Sequence, residues 1–260
     1  MEYLNEYYTT HNEDARLLSR RGSVEFLTSI SYIEKYLREG MRIIEIGAGS
    51  GRYSHYFARK GFSVDAVELI EHNIELFNQN TQPGEKVTVT QGNATDLSCF
   101  PDGTYDITLL LGPMYHLYSL DDKLAALREA KRVTRPGGVL FVAYCMNEAT
   151  IIQFAFQKGN IHNEEYKNLI DPVTFKCGSD PRKIFELYRR EDIDELISNL
   201  GGVRRLHFVG TDMYTKYFKQ MIDEMDNKTF ELYLKYHFAI CERPDMTGIS
   251  NHTLDILRVE

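Results

Sequence analysis

The chain has no long hydrophobic run and no leader-like start. No stretch of about 18 apolar residues occurs among the 260 residues, so we expect no membrane-spanning helix. The first residues, "MEYLNEYYTTHNEDARLL", are polar and acidic and contain no hydrophobic core segment, which argues against a secretory signal. We therefore expect a cytoplasmic protein.

Cysteine is scarce and widely spaced. None of the four cysteines forms a C-x-x-C pair, which predicts neither a disulfide framework nor a zinc site. Reduced thiols in a cytoplasm fit this pattern. His162, Asn163 and Glu164 are adjacent, but one short loop does not make a ligand set, so we expect no metal. The four cysteines are Cys99, Cys145, Cys177 and Cys241.

Positive charge is also in deficit. The formal net charge is -8, and the short basic clusters "DPRK" and "YRRED" are balanced by acids, as on solvated helix surfaces. A nucleic-acid enzyme usually carries a basic face, so the balance favours a small-molecule partner over nucleic acid. The length suits one large domain, and 43% hydrophobic residues are enough for a sizeable core.

The first half of the chain alternates strand and helix patterns. Residues 11–39 read as helical, with Gly22 as a break and Gly40 as a stop. Five strand patterns then follow in order, with helix patterns between most of them: "MRIIEIG", "FSVDAVEL", "EKVTVTQGN", "YDITLLLGP" and "GGVLFVAY". This alternation predicts βαβ units and an α/β fold with a parallel sheet covered on both faces. The candidate inward positions of the first helical region are Leu17, Leu18, Val24, Phe26, Leu27, Ile30, Ile33 and Leu37.

The second half is less regular. Residues 147–187 carry no clear strand, whereas "REDIDELISNLGG" predicts a helix and "VRRLHFVG" a strand. Residues 212–241 read as helical, and "NHTLDILRV" predicts a closing strand. The Met and aromatic stripe in this region is more typical of packing than of a cofactor site. Its candidate inward positions are Met213, Tyr217, Met221, Met225, Phe230, Leu234 and Phe238.

A glycine-rich turn, "EIGAGSGR", follows the first strand. Parallel sheets bind ligands at the carboxyl ends of their strands, and glycine lets a ligand approach the backbone. A phosphate-binding P-loop would need G-K-[ST], which is missing, and a dinucleotide fingerprint would need glycine where Arg52 stands. What remains is G-x-G-x-G, formed by Gly47, Gly49 and Gly51, with Glu45 two positions ahead.

This pattern resembles motif I of the class I S-adenosylmethionine-dependent methyltransferases. Its neighbours resemble the same family: "AVEL" ends the second strand, "QGNATDL" the third, "FPDGTYDITLLLGPMYHL" surrounds the fourth, and "RVTRPGGVLFVAY" leads into the fifth. The resemblance covers about residues 40–145 in continuous order.

The resemblance implies a doubly wound, mostly parallel, seven-stranded Rossmann-like methyltransferase fold whose last strand is antiparallel. Residues 40–260 would form the methyltransferase domain, preceded by an N-terminal helical cap over residues 1–39. A helical insertion after strand five, residues 146–187, would help to choose the acceptor, since long connections tend to be lids or binding loops.

The implied cofactor is S-adenosyl-L-methionine, with S-adenosyl-L-homocysteine as product. Glu68 would accept hydrogen bonds from the two ribose hydroxyls. Asn93 stands where the family usually has an aspartate near the adenine, and whether Asn93 or Asp96 serves there stays open. The cofactor-binding candidates are Glu45, Gly47, Ala48, Gly49, Gly51, Glu68, Leu69, Asn93, Ala94, Asp96, Leu111 and Gly112.

The acceptor would lie near "LGPMYHLY", so Tyr115 and His116 are the catalytic candidates. A base is needed only for an acceptor that arrives protonated, and a lone histidine beside a strand end is more often packed or hydrogen-bonded. We expect a small-molecule acceptor; an RNA or protein acceptor, or a non-catalytic cofactor-binding module, are the alternatives. The accepting atom and the oligomeric state are not encoded in any motif. Aromatic residues that line a pocket or fill a subsidiary core are Tyr7, Tyr8, Phe154, Phe156 and Phe175.

Overall fold

A central, mostly parallel β-sheet organises the protein. The computed structural model describes residues 3–4, 8, 19–182 and 185–260. Within them, the strands of the sheet are β1 (Arg42–Ile46), β2 (Ser63–Glu68), β3 (Val87–Gln91), β4 (Tyr105–Leu110), β5 (Thr134–Met146), β6 (Leu187–Tyr188), β7 (Val203–Gly210) and β8 (His252–Val259).

Helices connect these strands and cover the sheet. The α-helices are α1 (Arg20–Tyr36), α2 (Arg52–Arg59), α3 (Glu71–Asn80), α4 (Leu120–Val133), α5 (Asn147–Thr150), α6 (Glu164–Lys167), α7 (Arg190–Leu200), α8 (Lys219–Glu224) and α9 (Asn227–Ile240). Shorter 3₁₀ turns occupy Pro113–Tyr115, Asn160–His162, Met213–Lys216 and Thr247–Ile249, and a π-helical turn occupies Ile151–Phe156.

Seven strands lie in the order β3-β2-β1-β4-β5-β8-β7. The first five are parallel neighbours, and β8 runs antiparallel to both β5 and β7. The α/β class, the parallel sheet and the antiparallel last strand are therefore confirmed. Because the strand order reverses between β1 and β4, this edge of the sheet is where a doubly wound fold opens a crevice.

We expected no clear strand in residues 147–187, but a strand begins at the last residue of this segment. β6 is a two-residue strand that pairs in parallel with Cys145 and Met146 of β5. β4 pairs with β5 only as far as Val142, so β5 extends past its neighbour, and its last two residues pair with β6. Such a short strand has no sequence period of its own, since an alternation needs four or more residues.

Helix α1 begins at Arg20, and the part of the predicted helical region before Ser19 lies outside the described residues. Ser19 caps it, accepting a hydrogen bond from the Gly22 N–H at 3.1 Å. Gly22 is thus a buried part of the first helical turn, and its prediction as a break is wrong. Gly40, with φ of 81°, lies in the turn after the helix. Leu17 and Leu18 lie outside the described residues, as does Tyr7.

Two hydrophobic clusters cover the two faces of the sheet. Successive side chains of a strand point to opposite faces. Ile43 accordingly belongs to the cluster that α1 and α2 complete with Ile33 and Phe57. Ile44 belongs to the cluster that α4 and α7 complete. Helix α1 therefore packs on the sheet itself, and the division at residue 39 stays a prediction.

The region after β7 is only partly buried. Met213 is fully buried, but Met221 and Phe238 are 49% and 38% exposed, so their prediction as inward positions is wrong. His237 is the buried residue of α9, and its Nε2 lies 2.8 Å from the Thr28 hydroxyl of α1. Packing against α1 therefore goes through a polar side chain, which a hydrophobic pattern does not reveal.

The insertion after β5 is helical only in its first part. Helical turns run from Asn147 to Lys167, and the rest lacks regular structure up to β6 among the residues described there. In the described parts of the chain, no helix combines the length and apolarity needed to span a bilayer.

Candidate functional site

A cavity of about 830 Å³ opens at the carboxyl ends of the parallel strands. Its lining continues from the glycine turn after β1, past the ends of β2, β3 and β4, to residues of β5, β8 and α1. A volume of this size is within the range of small-molecule and cofactor sites. Two halves can be distinguished, the cofactor half around the glycine turn and the acceptor half around Tyr115 and His252.

The glycine turn is fixed to the neighbouring strand. The backbone N–H groups of Gly47 and Ala48 both donate to the Val67 carbonyl, at 2.8 and 3.1 Å. Gly47 has φ of 78°, and a Cβ there would stand 2.6 Å from the Pro113 ring. Glycine is thus required at this position both by the backbone angle and by the proline that follows β4.

Glu68 connects the end of β2 to the glycine turn. One carboxylate oxygen accepts from the Gly49 N–H at 2.8 Å, and the other accepts from the Ile70 N–H at 2.9 Å. The Asn73 side chain adds a third donor at 3.2 Å. An ionised carboxylate has about four acceptor positions, so capacity remains for a ligand hydroxyl. The side chain is 5% exposed and lines the cavity.

Glu45 lines the same half but is bound to the protein. It accepts hydrogen bonds from the Ser54 N–H at 2.9 Å and from the Ser54 hydroxyl. Burial raises the pKa of Glu45 to about 8, against the effect of the Ser54 hydrogen bonds and with a small contribution from Glu68. Glu45 therefore holds the start of α2 in place beside the turn.

The residues predicted to lie near the adenine differ in whether they reach the cavity. Asn93 and Ala94 line the cavity, whereas Asp96 does not, and its carboxylate accepts from the Ser98 N–H at 3.0 Å. The Asn93 side-chain oxygen accepts from the Thr95 N–H at 3.2 Å, which fixes its orientation.

The other cofactor candidates divide in the same way. Leu69, Leu111 and Gly112 also line the cavity. Gly51 does not: a Cβ there would stand 2.5 Å from the Phe77 ring and 2.6 Å from His55 Nε2, so this glycine serves the packing of α2 on α3.

Aromatic rings line the acceptor half. His116 contacts Phe185 edge-on with ring centroids 5.0 Å apart, and Tyr115 lies 6.4 Å from Phe185. His116 Nε2 shares a hydrogen bond of 2.7 Å with the Tyr8 hydroxyl. Burial lowers the pKa of His116 to about 4, and its Nδ1 is buried without a hydrogen-bond partner among the described residues. This imidazole is neutral at pH 7.

The aromatic residues of the insertion lie elsewhere. Phe154 packs against Tyr166 with centroids 4.9 Å apart, and Phe156 and Phe175 are 50% and 42% exposed. None of the three lines the large cavity, whereas Tyr8 does. The sequence left open whether these aromatic residues line a pocket or fill a subsidiary core. Of those that the structure describes, only Tyr8 lines the large cavity. Tyr7 lies outside the described residues.

A charged cluster in the acceptor half was missed by the sequence analysis. Glu25 of α1, Lys216 of the 3₁₀ turn after β7 and His252 of β8 line the cavity, and Asp212 is buried behind them. The one sequence signal was "DMYTK", which places Asp212 and Lys216 four residues apart. Nothing in the sequence links that segment to residues 25 and 252, because the association depends on β8 inserting between β5 and β7.

The middle of the chain is similar to known methyltransferase domains. A protein-family model described as a methyltransferase domain matches residues 44–142. The S-adenosylmethionine-dependent methyltransferase of known structure from Methanosarcina mazei is 19% identical, with a TM-score of 0.57 over 88% of this chain and 96% of that chain. Residues 44–142 are therefore similar to a methyltransferase domain, and the chain has the Rossmann-like fold seen in that structure.

Curated relatives align with about two fifths of the chain. The ubiquinone biosynthesis O-methyltransferase of Caulobacter vibrioides is 30% identical over 106 residues, which is 40% of this chain and 41% of that protein. An S-adenosyl-L-methionine-dependent Diels-Alderase of Talaromyces variabilis is 28% identical over 106 residues, 39% of this chain and 35% of that protein. The chain thus spans less than half the length of these relatives.

Proposed function

We propose that this chain binds S-adenosylmethionine at the glycine turn and transfers its methyl group to a small-molecule acceptor. The observation that carries the proposal is the single cavity, which is lined both by Glu68 and the glycine turn and by the aromatic and charged residues of the acceptor half. Cofactor and acceptor would then meet in one cavity, as a direct transfer requires.

The residues of the cofactor half fit an adenosyl group. Glu68 has acceptor capacity left for one ribose hydroxyl after its three protein donors. Asn93 and Ala94 would face the adenine, and Leu111 and Gly112 would border the methionine part. Gly49 leaves room at the turn, since a Cβ there would meet no atom within 4 Å.

The protein's contribution would be position and exclusion of water. When bound, S-adenosylmethionine supplies an electrophilic methyl group that an electron pair on the acceptor takes by direct displacement. Tyr115, His116 and Phe185 would orient the acceptor through ring contacts. A histidine with pKa near 4 is a weak base at pH 7, so we assign His116 a positioning role rather than proton abstraction.

Cofactor binding is tested by thermal shift with S-adenosylmethionine, S-adenosylhomocysteine and NAD. We expect stabilisation by the first two and none by NAD, because a ligand that binds only the folded state raises its stability. Absence of any shift at saturating S-adenosylmethionine and S-adenosylhomocysteine would overturn the proposal.

Methyl transfer is tested with S-adenosylmethionine labelled in the methyl group. Label should move into a metabolite extract and not into total RNA or cell protein. Label in RNA or protein would replace the acceptor class and keep the enzyme class.

A cofactor-dependent reaction without methyl transfer is the second candidate, supported by the alignment with the Diels-Alderase. In that case the cofactor would stabilise the protein in the thermal shift, but no label would move from S-adenosylmethionine into the metabolite extract, the RNA or the cell protein. The two experiments together therefore distinguish the two candidates.

A further inference from the structure

Four charged side chains meet in the acceptor half, and we call them the charged quartet: Glu25, Asp212, Lys216 and His252. They come from α1, the turn after β7 and the start of β8. His252 Nδ1 lies 2.9 Å from an Asp212 oxygen and 3.4 Å from a Glu25 oxygen. Lys216 Nζ lies 3.8 Å from Glu25 and 3.9 Å from Asp212. The quartet is formally neutral, with two charges of each sign.

Asp212 and His252 form a close ion pair. The second Asp212 oxygen accepts from the Asn251 N–H at 2.7 Å and from the Ser250 hydroxyl at 2.8 Å, and Asp212 is fully buried. Burial alone lowers the pKa of His252, but Glu25, Cys145 and Asp212 together raise it to about 10. The imidazolium and its carboxylate are thus satisfied within the protein.

Lys216 is only loosely paired with the carboxylates beside it. The 3.8 Å separation of its Nζ from the Glu25 oxygen exceeds a hydrogen bond, and Lys216 makes no hydrogen bond to any part of the chain that the structure describes. The Lys216 side chain is only 12% exposed and lines the cavity. A largely buried ammonium has three donors to satisfy, and leaving them unmade costs free energy. This arrangement is suited to receiving acceptor groups from a ligand.

A metal ion is the other occupant that such residues suggest. Glu25, Asp212 and His252 each offer one ligand atom, and these atoms lie within 4.8 Å of one another. However, the Lys216 ammonium lies within 4 Å of both carboxylates and already acts as their cation. A divalent ion would be repelled by Lys216 and would have to displace the proton of His252. The quartet therefore favours an organic ligand.

The sign of the charges restricts that ligand. A purely cationic ligand would be repelled by Lys216 and His252, and a purely anionic one by Glu25. A ligand with both charges could place a carboxylate on the Lys216 ammonium and an ammonium on Glu25, and such charge-assisted hydrogen bonds are the stronger kind. Next to the quartet, the Tyr115 ring lies 5.8 Å from the His252 ring and continues to Phe185. This surface suits an apolar or aromatic remainder.

We propose that the acceptor is a zwitterion of the amino-acid class, with its ammonium group on Glu25, its carboxylate on Lys216 and its side chain against Tyr115 and Phe185. This inference rests on the proposed function, because it names the acceptor class of the same site. It concerns recognition and leaves the methylated atom to be determined.

Calorimetric titration with matched ligand triplets tests the proposal. Each triplet is an aromatic amino acid, the amine left by removing its carboxyl group, and the acid left by removing its amino group. Phenylalanine, phenethylamine and 3-phenylpropanoate form the first; tyrosine and histidine with their counterparts form the others. In at least one triplet the amino acid should bind at least 10-fold more tightly than both truncated ligands. An amine or acid that binds as tightly as its amino acid, or failure of all three amino acids to bind, would overturn the proposal.

Two variants give a reciprocal readout on the amino acid that binds. Glu25→Gln should lower the affinity for the amino acid relative to the acid by about 10-fold. Lys216→Gln should lower the affinity for the amino acid relative to the amine by about 10-fold. Lys216→Arg should retain most of the affinity for the amino acid. Glu231→Gln and Lys235→Gln, both on the exposed part of α9, are controls that should leave all affinities unchanged. Equal losses for all three ligands in both variants would indicate a structural role and contradict the proposal.

The same titrations separate this inference from the proposed function. They are run with and without S-adenosylhomocysteine. Failure of S-adenosylhomocysteine itself to bind rejects the proposed function, whereas normal cofactor binding without amino-acid preference rejects only the acceptor class.

Discussion

Glu68 accepts a hydrogen bond from the backbone N–H of Gly49 at 2.8 Å, which joins the end of β2 to the glycine turn after β1. Two residues that are 19 positions apart therefore form one surface of the cavity. The rigidity of the turn and the proposed ribose contact depend on the same carboxylate.

Replacing Glu68 tests that double role. Glu68→Gln keeps the shape but loses the charge, so we expect S-adenosylhomocysteine affinity to fall roughly 10- to 100-fold, the size of a lost hydrogen bond to a charged group. Calorimetry measures the affinity, and Glu71→Gln, at an exposed position of α3, is the control. Unchanged affinity in Glu68→Gln would remove Glu68 from the cofactor site.

Substitutions of Asn93 and Asp96 should affect cofactor binding differently. Because Asn93 lines the cavity and Asp96 does not, Asn93→Ala should weaken S-adenosylhomocysteine binding by roughly 3- to 10-fold, the size of one neutral hydrogen bond. Asp96→Ala should change it by less than about twofold, since it removes no cavity contact. The reverse order of effects would assign the adenine to Asp96.

Gly51 should matter for stability more than for binding. In Gly51→Ala the new methyl group would lie 2.5 Å from Phe77 and 2.6 Å from His55, so we expect a loss of about 1–3 kcal/mol in the free energy of unfolding. Gly84→Ala is the control, because Gly84 has a similar φ of 91° but no atom within 4 Å of the added Cβ. Urea unfolding gives the stability. A larger effect on cofactor affinity than Glu68→Gln would show that Gly51 belongs to the binding turn.

His116 should behave as a positioning residue. With the acceptor identified by label transfer, His116→Asn should lower kcat/KM by about 10-fold or less, whereas loss of a general base typically costs 10²–10⁴-fold. Because burial lowers the pKa of His116 to about 4, the pH–rate profile should show no His116 inflection between pH 6 and 8. An inflection in that range that disappears in His116→Asn would restore the base.

His252 should make stability depend on pH in the alkaline range. Its pKa in the folded protein, about 10, lies above the value near 6.5 in an unfolded chain, because Glu25, Cys145 and Asp212 face it, with Lys216 and Tyr115 nearby. The folded state then binds more protons between these values. Stability is fully present below pH 6.5 and falls as the pH rises towards 10, by at most about 1.4 kcal/mol per pH unit.

Urea unfolding of the wild type and His252→Asn at several values between pH 6.5 and 9.5 measures this dependence. The variant should be less stable at pH 6.5 and show a shallower fall. Identical slopes in the two proteins would show that His252 is not held protonated.

Local sequence determined most of the core and the cofactor half. The five parallel strands follow from short apolar runs that turn signals delimit, and the ligand turn follows from glycine spacing at a strand end. Glu68, Asn93 and Gly112 became cofactor candidates through the resemblance, and each lies at the end of its strand or two residues beyond it and lines the cavity. Such features depend on neighbours in the chain, and those are visible in the sequence.

Tertiary structure alone decided the charged quartet of the acceptor half. Glu25 and His252 are separated by most of the chain, and only the insertion of β8 beside β5 brings them together with Asp212 and Lys216. The same reason explains β6, which exists because β5 outruns β4, and the exposure of Met221, which depends on what packs against α8. Periodicity reports local faces, but which distant residues share a cavity is set by the long-range packing that closes it.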